Sequence, residues 1–259
     1  MSIPKIGFGT YQLLDRVAYE SVACALKEGY RHIDTAKLYK NEAYVGQAIA
    51  DSGISRDSLF ITTKVLNKDQ IKGKKRILDA FEKSLSDLKT DYVDLLLLHA
   101  PIMDKLANSW EQLEYLYNHK KCKMIGVSNF EISDLKFFEE SNVIKPMVNQ
   151  IELSPFYTRN ELVSYCRKNN IIVEAHTSLT RGEKFNNDVL CEIAKNNKMS
   201  VPSVMLRWGL QNDYIILPRS DKPEEIRENI RVVDKVIGKE DMERLNGLNE
   251  NFALTIRRN

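Results

Sequence analysis

Four unlike titratable side chains follow short apolar runs in this chain. They are Asp34 and Tyr39 in DTAKLY, Lys64 closing LFITTK, and His99 in LLLLHAP. Together they suit proton transfer coupled to hydride transfer. A tyrosine keeps its proton to about pH 10. A nearby ammonium stabilises the phenolate and lowers that value, and a carboxylate beside the ammonium holds the cation in place. An imidazole orients a carbonyl oxygen or relays a proton. Each residue alone has an ordinary structural explanation. An Asp after a strand is usually a cap or turn residue, a Lys at a strand end snorkels to solvent, and a His before Ala-Pro is a satisfied loop residue. Convergence of four titratable types on one surface is what points to catalysis. No serine-nucleophile elbow, HExxH metal motif or Walker A loop offers competing chemistry.

Bringing these residues together needs a scaffold, and the periodicity of the chain predicts one. Eight runs have strand character: 6–8, 30–34, 59–64, 92–99, 124–127, 147–150, 171–175 and 214–217. Several are nearly all apolar, as strands covered on both faces are. The segments between them have helical period. Asp15 is placed to cap a helix carrying Ala18, Val22, Ala25 and Leu26, with Gly29 as its stop. Ile77, Phe81, Leu85 and Leu88 share one face of the third helix. Later stripes are Trp110, Leu113, Leu116 and Tyr117, then Leu162 and Tyr165, then Val189, Leu190 and Ile193. Strand–helix alternation without a linker predicts the α/β class: a single (β/α)8 TIM barrel domain over 1–259. Such barrels build their sites at the C-terminal ends of the strands.

The composition, 43% hydrophobic and 29% charged, excludes collagen, low-complexity disorder and a disulfide miniprotein. Thirty-eight basic residues against 36 acidic ones leave no electrostatic footprint for nucleic acid. Cys24, Cys122, Cys166 and Cys191 form no CxxC pair and predict reduced thiols in a cytoplasmic compartment. The opening MSIPKIGFGT has no signal-peptide character, and the longest apolar run, 93–99, is far short of the roughly 20 residues a membrane helix needs. A monomer without a metal is expected.

Over almost its whole length the chain resembles the aldo-keto reductases. GFGTYQ, YRHIDTAKLYKNEAYVG, LFITTK, LLLLHAP, IGVSNF, VNQIELSPF and LPRSDKPEEIREN match that family's pattern in order and spacing. The resemblance implies a (β/α)8 barrel and reversible NAD(P)H-dependent reduction of aldehydes or ketones, with a small carbonyl compound as substrate. It implies Tyr39 as proton donor, Lys64 and Asp34 as its tuning pair, and His99 as the substrate-orienting residue. Ser128, Asn129 and Gln150 would hydrogen-bond the nicotinamide carboxamide. Thr10 and Tyr11 would border the nicotinamide ribose, His176 and Leu179 would lie along the cofactor, and Glu228 and Asn229 would contact adenine. GFGTYQ itself lacks the third glycine of a Rossmann fingerprint, so a dinucleotide would lie across the barrel rim. Pro223 suits the first turn of a helix. That helix would present free N–H groups for phosphate beside Arg219 and Ser220.

Several positions depart from the family pattern. Glu225 stands where NADPH-dependent relatives usually carry arginine. A carboxylate repels a 2′-phosphate and suits free ribose hydroxyls, while Arg219 pulls the other way. NADPH use with good tolerance of NADH is expected. His176 replaces a large aromatic ring, and Thr177-Ser178-Leu179-Thr180 replaces Ser-Pro-Leu-Gly, which predicts weaker cofactor affinity. Val65-Leu66 and Ala100 replace aromatic pocket walls, whereas Tyr11 keeps one. With a short loop at 101–108 and a short tail, a wide pocket with broad carbonyl use is expected. Two other readings fit the fold. One is a cofactor-binding regulatory protein, like channel β-subunits that resemble this family. The other is a Schiff-base aldolase with Lys64 as nucleophile.

Overall fold

The computed structural model describes residues 3–255. Its strands are β1 (Phe8–Gly9), β2 (His32–Asp34), β3 (Phe60–Val65), β4 (Val93–Leu98), β5 (Cys122–Ser128), β6 (Val148–Glu152), β7 (Ile172–His176) and β8 (Ile215–Ile216). They pair in parallel and in chain order. A parallel bridge between Ile6 and Ile216 closes the ring. Gly7 N–H donates to Ile216 O and Gly9 N–H to Pro218 O, at 2.8 and 3.0 Å, so neither end strand is left as an open edge.

The helices are α1 (Asp15–Lys27), α2 (Glu42–Asp51), α3 (Asn67–Lys72), α4 (Lys74–Leu88), α5 (Leu106–Asn118), α6 (Ile132–Leu135), α7 (Phe137–Glu140), α8 (Asn160–Lys168), α9 (Asp188–Asn196), α10 (Val201–Gln211), α11 (Pro223–Ile230) and α12 (Lys239–Asn246). The barrel predicted from strand–helix alternation is the observed fold. Three details differ. Leu14 occupies the cap position of α1, and Asp15 is its first residue with no side-chain cap bond, so its contribution is charge at the helix N-terminus. The stripe of Ile77, Phe81, Leu85 and Leu88 is buried as expected, but on α4, because the short α3 precedes it. Finally, β5 starts at Cys122 and ends on Ser128, which makes Ser128 a strand residue.

Alternation along each strand divides the side chains between two cores. The larger core fills the space between sheet and helices. The smaller one, inside the barrel, holds Phe60, Leu95, Leu97, Val148, Ile215 and Leu217. On β3 the residues in phase with Phe60 are Thr62 and Lys64, and on β6 those in phase with Val148 are Gln150 and Glu152. The barrel interior therefore changes from hydrocarbon at one end to Asp34, Lys64, Gln150 and Glu174 at the other, all four buried. His32 lies between the two zones, edge-on to Phe60 at 4.8 Å and 3.1 Å from Thr62 Oγ1. Burial lowers its pKa to about 4, so it is neutral at physiological pH.

Gly46 sets the spacing of the helical layer beside the site. A Cβ there would lie 2.2 Å from Asp87 O and 2.6 Å from Leu88 Cα, backbone atoms that cannot swing aside. Gly46→Ala is expected to cost about 2 kcal/mol, lowering the Tm by roughly 4–8 °C. Gly238→Ala, where a Cβ meets nothing within 4 Å, should leave the Tm unchanged. Differential scanning calorimetry on the two variants checks the contrast.

Candidate active site

At the C-terminal end of the barrel Lys64 Nζ donates to both oxygens of Asp34, at 2.7 and 2.8 Å, and to Thr35 O at 3.0 Å. The two charged side chains are only 1% and 5% exposed. Tyr39 sits on the short 3-10 turn Lys37–Tyr39, which Lys40 ends in the left-handed region at φ 57°. This turn brings Tyr39 Oη to 3.4 Å from Lys64 Nζ. The Tyr39 ring stands edge-on to His99 at 5.9 Å and tilts against Tyr11 at 5.1 Å. All four residues singled out for catalysis thus come together on the rim.

The electrostatics differ from expectation at one point. Burial raises the pKa of Tyr39; the Lys64 ammonium pulls it down, Asp34 pushes it up again, and the net direction is up. The predicted net lowering by Lys64 is not found, because burial of the phenol outweighs the ammonium and Asp34 adds to the upward push. Tyr39 therefore holds its proton at neutral pH. For Lys64, burial disfavours the charged form, but Asp34 and Tyr39 more than offset it and raise the pKa. An ammonium held this way is no free amine nucleophile, which counts against the Schiff-base reading. Burial, with Lys64 and His176 nearby, lowers the pKa of His99 to about 3. His99 is thus a neutral imidazole.

Ser128, Asn129, Gln150 and His176 form one hydrogen-bonded arc beside this group. Ser128 Oγ donates to Gln150 O at 3.0 Å, and Asn129 Nδ2 donates to Ser128 Oγ and to His99 O, each at 3.0 Å. Asn129 reaches both from the left-handed region, φ 61°, which asparagine tolerates. Its amide nitrogen is spent on two acceptors, so its oxygen faces His176 Nε2 at 2.9 Å. Nε2 must then be the N–H donor, and His176 Nδ1 accepts from Thr177 Oγ1 at 2.9 Å. Burial, then Lys64, lowers the pKa of His176 to about 3, consistent with that neutral tautomer. Leu179, partly buried, follows in a loop where Thr177, Thr180 and Arg181 all take positive φ, at 57°, 48° and 50°. For β-branched threonine that is a strained conformation.

The opposite corner gathers the remaining expected residues. Thr10, fully buried, donates to Asp34 O at 3.1 Å. Arg219 spans Tyr11 O and Gln12 O at 3.2 and 3.3 Å. Pro223 opens α11, and no side chain caps that helix. Ser220 Oγ donates to Glu225 at 2.7 Å and accepts from Lys222 N at 3.1 Å. Glu225 also pairs with Lys222 Nζ at 2.8 Å. Glu228 accepts from Ser203 Oγ at 3.1 Å, and Asn229 is buried. Lys222 was missed in the sequence although it stands three residues before Glu225. The Glu225 carboxylate, which stands where relatives carry arginine, is thus paired with a neighbouring lysine.

Two further residues were missed. Glu174 is a lone acid in an apolar strand, in phase with His176, and that phase was its available signal. Glu152 ends β6 and accepts from Leu254 N and Thr255 N at 2.8 and 2.7 Å, as well as from the Thr255 hydroxyl. The short C-terminal segment therefore reaches the rim, and its anchor lies about a hundred residues away in the chain.

Comparison with known proteins shows what the chain as a whole is similar to. The profile of the Aldo/keto reductase family matches residues 5–250. Glyoxal reductase of Bacillus subtilis is 44% identical, over 96% of this chain and 90% of its own. A 9,11-endoperoxide prostaglandin H2 reductase of Trypanosoma cruzi is 40% identical, over 96% and 88%. Among solved structures, an aldo-keto reductase from a Medee basin deep-sea metagenome library superposes with a TM-score of 0.96 at 38% identity, covering 99% of this chain and 95% of its own. With a barrel of this topology, a rim carrying these side chains and a family profile spanning nearly the whole sequence, the chain belongs to the aldo/keto reductase family and is an oxidoreductase that reduces carbonyl groups.

Proposed function

We propose that the chain reduces aldehydes and ketones with NADPH, NADH being a tolerated substitute, and that Tyr39 is the proton donor. The observation that carries this is the phenol of Tyr39, 3.4 Å from an ammonium that Asp34 fixes in the barrel mouth. A carbonyl oxygen between Tyr39 Oη and the neutral His99 meets a proton donor and an orienting ring. As negative charge grows on that oxygen, Tyr39 releases its proton to it, and Lys64 stabilises the phenolate left behind. A reduced nicotinamide, when bound, supplies the hydride. Ser128, Asn129, Gln150 and His176 would hold its carboxamide end. Thr10, Tyr11 and Leu179 would line its path, Arg219, Ser220, Lys222, Glu225 and the uncapped start of α11 would take its phosphates and ribose, and Glu228 and Asn229 its adenine. The donor set fits such a group: uncapped helix N–H groups and two cations at one end, amide groups at the other. The 1–259 chain is read as one catalytic domain, supported by the single closed sheet of the described residues. Small α-dicarbonyls are the first substrates to test, given the glyoxal reductase relative.

Tyr39→Phe is expected to lower kcat by roughly 10²–10⁴-fold while leaving NADPH affinity within about twofold. Turnover of methylglyoxal or 4-nitrobenzaldehyde and a fluorescence titration check the two halves; equal turnover by wild type and variant would exclude the mechanism.

Because the His99 pKa is depressed to about 3, this ring does not change charge in the ordinary histidine range. The kcat for reduction should therefore be flat from about pH 5 to 7.5. An inflection near pH 6.5 that vanishes in His99→Asn would contradict it.

For the cofactor, kcat/KM with NADPH should exceed that with NADH by less than about a thousandfold, some 4 kcal/mol. Glu225→Arg should widen the ratio and Lys222→Met should narrow it. Steady-state kinetics with both cofactors decide.

A further inference from the structure

The reduction chemistry leaves Glu174 unused, although it lies wholly buried inside the barrel next to the catalytic ion pair. It is the register partner of Gln150 across the β6–β7 ladder. Gln150 Nε2 donates to Glu174 Oε2 and to Asp34 Oδ2, both at 2.8 Å. An amide nitrogen carries two hydrogens, so both are taken. Turning the amide over would set its oxygen against Asp34 Oδ2, an acceptor already bound by Lys64. The orientation is therefore fixed, and Gln150 Oε1 accepts from no side chain among the described residues. The other Glu174 oxygen, Oε1, is buried and has no partner among them. Burial, reinforced by the Asp34 carboxylate, pushes the Glu174 carboxyl up to about 8. Near neutral pH it is held mainly as the acid. A carboxylic acid still accepts through its unprotonated oxygen, so the bond to Gln150 needs no second negative charge beside Asp34.

Resting on the reading that Gln150 borders the nicotinamide carboxamide, we infer that Glu174 is a positioning residue. With Asp34 it occupies both amide hydrogens of Gln150, leaving only Oε1 for the cofactor and selecting a carboxamide that donates there through its NH2. Glu174 touches neither substrate nor cofactor; it acts through Gln150.

The test compares binding of NADP+ with binding of its 3-acetylpyridine analogue, in which a methyl group replaces the amide NH2. Dissociation constants come from quenching of tryptophan fluorescence in the full chain, with the Tm measured alongside. Wild type should prefer NADP+ by about tenfold, the worth of one buried hydrogen bond. Glu174→Gln keeps an acceptor for Gln150 and should keep that preference. Glu174→Met removes one of the two acceptors, leaves one Gln150 N–H free to donate to the carbonyl oxygen of either cofactor, and should narrow the preference to about threefold or less; Glu174→Leu serves if the methionine variant does not fold. A merely structural role would lower the Tm and leave the ratio alone. A wild-type ratio near one, or a full tenfold ratio in Glu174→Met, overturns the proposal. Gln150→Met separates the two levels. If it narrows the ratio while Glu174→Met does not, only the positioning role fails. If it changes neither affinity nor ratio, the placement of Gln150 at the carboxamide fails, and the proposal with it.

Discussion

The Lys64–Asp34 ion pair is the constraint around which the barrel mouth is built. Two opposite charges have been taken out of water, and neither tolerates loss of the other. Breaking such a pair by removing one member typically costs about 3–5 kcal/mol, because the remaining charge is left buried alone. The fold answers with hydrogen bonds on every side. Asp34 Oδ2 also accepts from Gln150, and Lys64 also donates to Thr35 O. The loops that carry these groups are tied in turn. Asn41 Nδ2 donates to Thr10 O and Leu13 O at 2.8 Å, while its oxygen accepts from Thr35. The pair is thus a structural demand, whatever part it takes in catalysis. Satisfying that demand is what holds Tyr39 against an ammonium.

That arrangement sets a balance of opposing effects on Tyr39. A cation alone would depress the phenol, but a cation shared with a carboxylate and buried beside the ring does not overcome desolvation. The result is a tyrosine that keeps its proton beside a cation, which suits the proton-donor role proposed for it. On the proposed mechanism, Lys64 would stabilise the phenolate during reaction more than it acidifies the resting phenol. Neutral His99 fits the same logic. A second cation there would compete with Lys64 and raise the cost of burial.

The proton-transfer side and the amide-lined arc share atoms. Asn129 donates to the backbone of His99, and Gln150 bridges Asp34 to Glu174. A hydride acceptor and a proton acceptor must be addressed together, and these shared bonds couple the two sides through rigid strands. The remaining positions differ in kind. Lys222 pairs with Glu225 at the start of α11, and buried Glu152 latches the C-terminal segment; neither bonds to the ion pair.

Much of this was present in the sequence. Apolar runs alternating with helical stripes determined the barrel. The ends of the apolar runs placed Asp34, Lys64, His99, Gln150 and His176 on one rim, because a barrel gathers the C-terminal ends of its strands. Residue types alone determined the class of chemistry. Tertiary structure decided what depends on distance and burial. It set the direction of the Tyr39 pKa, which is a difference between desolvation and a shared cation. It showed Asp15 outside the cap of α1, because the chain enters that helix through Leu14. It paired Lys222 with Glu225, brought the C-terminal segment to Glu152, and gave Glu174 its partner across the β6–β7 ladder. Except for Lys222 with Glu225, which are three residues apart, these contacts join residues far apart in the chain that no local pattern connects. Sequence specifies which groups can interact; only the closed barrel decides which of them are desolvated together, and that sets their charge and orientation.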